Sequence, residues 1–199
     1  MSINFNPDEY YVIKVDYSSE HIPMLDWGNT RSLPFLDPEK VEGVKEPLEI
    51  MFYGTAPKNP LMNDILKMRS SYVISEIFKQ FLEKEGLSKM QFFPVKIVEK
   101  KREPITGYYL LHTYNGIPAI DKNNYVGDPV DEDDGQIYIL ERFALDAEVM
   151  NKIPLEDRTF FCFAENNSFY LAHQSIVDKI KEAGITGILF YPVSNWLPK

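Results

Sequence analysis

The 199-residue chain is 44% hydrophobic and 26% charged, and its 30 Asp and Glu residues outnumber its 21 Lys and Arg residues for a net charge of −9. This composition is typical of a folded globular protein, and the charge disfavours nucleic acid and anionic membranes as partners while favouring a basic protein. The single cysteine excludes an internal disulfide, and no apolar run reaches the roughly 20 residues that span a bilayer. With no secretory signal at its start, we expect a cytoplasmic protein.

The first 60 residues predict loops around a few strands. Residues 10–17 are rich in β-branched and aromatic side chains, which indicates a strand, whereas residues 22–47 contain four prolines and no sustained period. Residues 48–53 form a second candidate strand. We therefore expect an irregular N-terminal segment with one strand, residues 1–47, packed on a main α+β domain, residues 48–199.

A strand–helix–strand unit is predicted from Tyr72 onward. Residues 72–74 form a short strand, and Ser75 is placed to cap a helix over residues 76–85 whose apolar side chains share one face. Gly86 ends this helix, and residues 90–98 return as a strand. Pro94 predicts that this returning strand lies at a sheet edge or carries a bulge.

The same pattern returns near the C-terminus. Residues 169–172 predict a strand, residues 174–183 an amphipathic helix, and residues 187–193 a closing strand. The two copies align without a gap, so that Tyr170 corresponds to Tyr72, Gly184 to Gly86 and Pro192 to Pro94. Duplication and convergent packing both account for this similarity.

The sequence between the two units is mostly β. Residues 107–114, 136–141 and 158–164 predict strands, and the charged segments 100–103 and 128–135 predict exposed loops. We therefore predict an α+β fold: a mostly β chain with two helices and about eight strands, in which the two similar units pack into one domain.

One acidic loop is the strongest candidate for a contact site. Asp131, Glu132, Asp133 and Asp134 precede Gly135, but an EF-hand register places Val130 at the first ligand position, where it cannot bind calcium. We predict no metal site and no cofactor. The loop is interpreted as a solvated acidic turn or as a contact patch for a basic protein.

No catalytic constellation is visible in the sequence. Cys162 lies in an aromatic strand that buries it, which disfavours a nucleophilic thiolate. His112 and His173 are interpreted as structural or surface residues. Glu156 and Asp157 read as ordinary turn residues.

Several stretches resemble the immunity-eleven family of bacterial polymorphic toxin systems, formerly a domain of unknown function. The resemblance spans residues 48–193 and rests on packing motifs: residues 72–76, 81–86, 91–95, 108–111 with Asn115 and Asp121, 161–164, 174 with 181–187, and 190–193. Residues 116–118 depart from the family pattern, and His173 stands where a Ser or Thr cap is common.

The resemblance implies a non-enzymatic antidote that binds a cognate toxin domain encoded beside it. The net charge suits a basic toxin, and the acidic residues Asp131 to Asp134 are the candidate partner-binding residues. The sequence leaves open whether the protein is a monomer or a homodimer. Two alternatives also stay open: an enzyme that uses Cys162 or the Glu156/Asp157 carboxylates, and an adaptor that pairs through an edge strand containing Pro94 or Pro192.

Overall fold

A computed structural model describes residues 4–28, 38–44, 47–99 and 102–198. Within these ranges the α-helices are α1 (Glu76–Lys84), α2 (Ala147–Lys152) and α3 (Gln174–Glu182), and 3-10 helices include Pro7–Glu9, Leu155–Arg158 and Val193–Trp196. The strands are β1 (Tyr10–Val15), β2 (Leu25–Trp27), β3 (Leu48–Phe52), β4 (Ile65–Met68), β5 (Ser71–Ser75), β6 (Met90–Glu99), β7 (Arg102–Thr113), β8 (Gly116–Ile117), β9 (Ile120–Gly127), β10 (Leu140–Leu145), β11 (Phe160–Phe163), β12 (Tyr170–His173) and β13 (Ile188–Pro192). The predicted α+β, mostly β fold is confirmed.

The strands form a barrel, an open sheet and a ribbon. Strands β2-β3-β6-β7-β5-β4 close into a six-stranded barrel, and β13-β1-β12-β11-β8 form a five-stranded sheet. Strands β9 and β10 make an antiparallel ribbon. No helix in the described ranges is long and apolar enough to cross a membrane.

Strands β11 and β12 of the five-stranded sheet are buried on both faces, and β1 is mostly so. Ile13 and Phe160 face a core shared with the barrel and with helices α1 and α3, whereas Val12 and Phe161 face a second core beneath the β9–β10 ribbon. Successive strand residues point to opposite faces, so a doubly covered strand needs apolar side chains at every position. This packing explains why Phe160–Phe163 is a continuous apolar run.

The two predicted strand–helix–strand units have equivalent surroundings. The first unit consists of β5, α1 and β6, and strand β7 pairs with both of its strands. The second unit consists of β12, α3 and β13, and strand β1 pairs with both of its strands in the same way. Both helices end at a glycine with left-handed backbone, Gly86 (φ 68°) and Gly184 (φ 70°). The backbone turns left-handed again three residues later in each unit, at Lys89 and Gly187.

Two tyrosines connect the units reciprocally. The Tyr72 hydroxyl donates to the Ile13 carbonyl on β1 at 2.8 Å, and the Tyr170 hydroxyl donates to the Leu111 carbonyl on β7 at 3.3 Å. Leu111 lies opposite Tyr72 and Phe92 in its sheet, just as Ile13 lies opposite Phe190 in the other. Each tyrosine therefore bonds, at the equivalent position, the strand that pairs with both strands of the other unit, and the two rings meet edge to face with centroids 4.9 Å apart.

This reciprocal bonding predicts similar costs for two matched substitutions. Tyr72→Phe and Tyr170→Phe each remove one buried hydroxyl donor but keep the ring, so each should lower the free energy of unfolding by about 1–1.5 kcal/mol. Urea denaturation measures both values, and the double variant measures their coupling. If only one of the two substitutions lowered the free energy of unfolding, the two tyrosines would not have equivalent roles.

Of the two alternatives that Pro94 predicts, the sheet edge is wrong, whereas an irregularity is present, since the register of β6 to β7 shifts between Val95 and Ile97. Strand β6 lies inside the barrel between β3 and β7, and β3 pairs with it only from Val95 onward, where its register to β7 also begins to shift. Pro94 is tolerated because the pairing with β3 starts after it. Pro192, by contrast, does lie on an edge strand, β13.

Other local expectations also need correction. Helix α2 was not predicted; Asp146 caps it by accepting from the N–H groups of Glu148 and Val149. Arg102 and Glu103 belong to strand β7 instead of a loop, and residues 100–101 of that predicted loop lie outside the described residues. A short strand, Leu25–Trp27, occurs in the proline-containing segment, of which residues 29–37 and 45–46 are likewise outside. The division of the chain at residue 48 stays a prediction.

Candidate partner-binding site

The acidic loop connects the two strands of the β9–β10 ribbon and closes on itself. The Asp131 carboxylate accepts from the backbone N–H groups of Asp133, at 2.8 Å, and Asp134, at 3.3 Å. The Gly135 N–H donates to the Asp131 carbonyl at 2.9 Å. An aspartate that bonds its own following backbone is a common way to fix a turn. Asp131 therefore has a structural role in the loop.

Asp134 fixes the exit from the loop. Its carboxylate accepts from the Gln136 N–H at 2.9 Å and from the Tyr138 hydroxyl at 2.6 Å. The Tyr138 bond lowers the pKa of Asp134, and the same bond, with the negative charges of the loop, raises the pKa of Tyr138 to about 12. Asp134 is therefore ionised at neutral pH, and Tyr138 stays a neutral donor.

Glu132 and Asp133 are the acidic side chains that this loop leaves free. Both are exposed, and neither side chain makes a hydrogen bond or an ion pair within the described residues. Of the four predicted residues, two thus shape the loop and two present their carboxylates to solvent. The four side chains form no group of three that could hold a metal ion, and no such group occurs elsewhere in the described ranges.

Two exposed apolar side chains adjoin the loop, and sequence reasoning missed them. Residues 136–141 were expected to form a strand, but β10 begins at Leu140, and the preceding segment is irregular. Tyr138 and Ile139 are 67% and 58% exposed, whereas Ile137 between the loop and Tyr138 is buried. Because consecutive side chains are both outward, this stretch breaks the alternation of a half-buried strand.

Backbone contacts hold these two apolar side chains outward. The Ile137 N–H donates to the Glu165 carbonyl, and the Asn166 side-chain amide donates to the Ile137 carbonyl, both at 2.8 Å. The Ile139 carbonyl accepts from the Asp128 N–H and lies close to Gly127. A Cβ atom at position 127 would lie only 2.2 Å from the Ile139 oxygen. Only glycine permits that approach. We call Glu132, Asp133, Tyr138 and Ile139 the acidic–apolar patch.

The other candidate residues of the sequence have structural surroundings. Cys162 is fully buried, and burial raises the pKa of its thiol to about 12, so it does not form a thiolate at neutral pH. His112 is buried with its Nε2 atom 2.6 Å from the Glu39 carbonyl, and burial lowers its pKa. His173 caps helix α3 through an imidazole nitrogen that accepts from the Ser175 N–H. Glu156 and Asp157 lie in the 3-10 helix Leu155–Arg158.

The molecule is thus an α+β protein with an exposed patch of acidic and apolar side chains. A comparison with models of protein families matches the immunity protein family Imm11 over residues 9–195, and the chain belongs to this family. The match extends the predicted resemblance to the N-terminal side, where it includes β1, the strand that pairs with both strands of the second unit. No curated protein matches the chain.

Proposed function

We propose that this protein binds and neutralises, without catalysis, a cognate secreted toxin domain in the bacterial cytoplasm. Membership of the immunity protein family over residues 9–195 is the observation that carries the proposal. The acidic–apolar patch supports it, because free carboxylates beside exposed apolar side chains offer both attraction and contact area. The net charge of −9 supports a basic toxin as the partner.

The two halves of the patch have different physical roles in this proposal. Glu132 and Asp133 raise the rate of encounter with a basic surface through long-range attraction, which salt screens. Tyr138 and Ile139 lose water on contact and slow dissociation, as aromatic and apolar anchors do in other interfaces. An interface of about 1,200–2,000 Å² that includes the patch is the usual size for a stable protein–protein complex.

Survival on co-expression tests the proposal. The toxin domain encoded beside this gene is expressed alone and together with this chain, and we expect the chain to restore growth and to co-purify with the toxin. Growth without co-purification would indicate an enzyme that acts on the product or target of the toxin instead. Absence of both would contradict the proposal for that pair.

The free carboxylates predict a change in association rate. Glu132→Gln with Asp133→Asn removes two charges but keeps the Asp131 and Asp134 contacts that shape the loop. We expect association with the toxin to slow by roughly 3–10-fold at low salt and its salt dependence to flatten. Stopped-flow or biosensor kinetics over a series of salt concentrations measures both changes.

A matched variant separates local charge from net charge. Glu156→Gln with Glu182→Gln removes the same number of charges from exposed side chains that make no ion pair in the described part of the chain. This control should change association less than the patch variant does. Equal effects of the two variants would show that only net charge matters and would remove the loop from the site.

A further inference from the structure

A second concave surface lies where the three β layers meet. A cleft of about 630 Å³ is bounded by β1, by the turn between β4 and β5, by β10 and by the C-terminal 3-10 helix. Its walls include the aromatic side chains of Tyr72 and Trp196 and four basic side chains, Lys14, Lys67, Arg69 and Arg142. The volume is within the range of small-molecule sites. A concentration of positive charge in a cleft is unexpected in a chain with a net charge of −9.

The two lysines of the cleft have aromatic neighbours but no anionic ones. The Lys67 ammonium lies 4.2 Å from the centroid of the Tyr72 ring, and the Lys14 ammonium lies 4.5 Å and 5.0 Å from those of Phe169 and Trp196. Neither makes an ion pair or a hydrogen bond within the described ranges. Burial, and secondly the charge of Lys14, lower the pKa of Lys67 to about 7.

The two arginines differ in how far their charges are compensated. Arg69 is paired with Asp26 and has a left-handed backbone (φ 48°), so this ion pair fixes the turn beside the cleft. Arg142 makes one long hydrogen bond, 3.4 Å, to the Leu197 carbonyl. Among the described lining residues only Glu141 is acidic, and it is exposed. Lys14 and Arg142 therefore give the cleft an uncompensated positive charge, to which Lys67 adds when it is protonated.

We propose that this cleft binds a small aromatic molecule that carries a carboxylate or phosphate group, with the anion between Lys14 and Lys67 and the ring against the aromatic walls. Desolvated ammonium groups without partners are costly in the free protein, and an anion that reaches them offsets that cost. The aromatic walls supply flat apolar surface for a ring. This site is independent of toxin neutralisation, since no residue of the acidic–apolar patch lines it.

Titration followed by ¹H–¹⁵N NMR tests the site with defined probes. Phenyl phosphate and benzoate carry an anion on a ring and distinguish the two anionic groups; inorganic phosphate lacks the ring, and benzyl alcohol lacks the charge. Probes of this size bind in the millimolar range. We expect at least one of the two ring-bearing anions to shift the Trp196 indole and Val15 amide signals saturably, with inorganic phosphate and benzyl alcohol each at least tenfold weaker.

Matched lysine variants locate the interaction. Lys67→Met keeps the aliphatic stem but removes the charge, and should weaken binding of the ring-bearing anion at least tenfold, whereas Lys58→Met, at an exposed position outside the cleft, should leave it unchanged. Thermal denaturation confirms that both variants fold, and Arg142→Gln provides a second substitution within the cleft. The proposal is overturned if neither ring-bearing anion shifts the cleft signals, if inorganic phosphate matches them, or if Lys67→Met binds as the unchanged protein does.

Discussion

Replacing Phe143 with alanine is expected to lower the free energy of unfolding by about 3–5 kcal/mol, the usual cost of deleting a fully buried phenylalanine ring. Phe143 is 0% exposed and lies on β10. Its ring contacts those of Phe163 on the five-stranded sheet, Phe169 and Trp196, at centroid distances of 4.8, 5.6 and 5.8 Å. Phe143 therefore packs the β9–β10 ribbon, which carries the acidic–apolar patch, against the five-stranded sheet.

Thermal and urea denaturation measure this effect. In a protein of this size, a loss of that magnitude lowers the melting temperature by roughly 6–20 °C. Val126→Ala is the matched control, because Val126 lies on the other strand of the ribbon with a side chain 43% exposed, and we expect it to change stability by less than about 0.5 kcal/mol. Equal effects of the two substitutions would show that the ribbon does not depend on the second core.

Truncating Tyr138 is expected to have the largest effect on toxin binding. A central aromatic anchor contributes about 2–4 kcal/mol, so Tyr138→Ala should weaken the complex by roughly 30- to 1,000-fold, mainly through faster dissociation. Tyr138→Phe keeps the ring but removes the bond to Asp134, and should weaken the complex much less. Biosensor measurement of the two dissociation rates separates the contribution of the ring from that of the hydroxyl.

An exposed apolar side chain elsewhere on the molecule is the control for non-specific apolar association. Ile77 on α1 is 66% exposed, close to the value for Ile139, so Ile77→Ser and Ile139→Ser remove similar exposed surface from different places. We expect Ile139→Ser to weaken the complex and Ile77→Ser to leave it unchanged. A normal affinity for Tyr138→Ala and Ile139→Ser would place the interface on another surface.

The repeated units could be predicted because local rules decide them. Ser75 caps α1, both helices end at left-handed glycines, and the apolar side chains recur on one helical face, so the elements are visible in the sequence alone. The unit boundaries agree with the structure within a few residues. The reciprocal bonds of Tyr72 and Tyr170 were not predictable, because they depend on how the two units face one another.

The acidic–apolar patch and the basic cleft could not be predicted, because they depend on long-range contacts that leave no local pattern in the sequence. Tyr138 and Ile139 have strand-forming side chains, yet the contacts of Ile137 with Glu165 and Asn166 hold the segment out of the ribbon. The four acidic residues of the loop look alike in the sequence. Only the hydrogen bonds of the folded turn distinguish Asp131 and Asp134, which accept them, from Glu132 and Asp133, which do not. The basic cleft joins Lys14 and Lys67, which are far apart in sequence and adjoin only because β1 and β4 meet.

The most direct test of the central claim is the dissociation constant between this protein and the toxin domain encoded beside it, measured by titration calorimetry with purified components. The proposed function predicts a stoichiometric one-to-one complex with a dissociation constant of about 1 nM or below, together with loss of toxin activity as the equivalence point is reached. A folded toxin domain that binds no more tightly than micromolar, and stays active in excess of this protein, would contradict it.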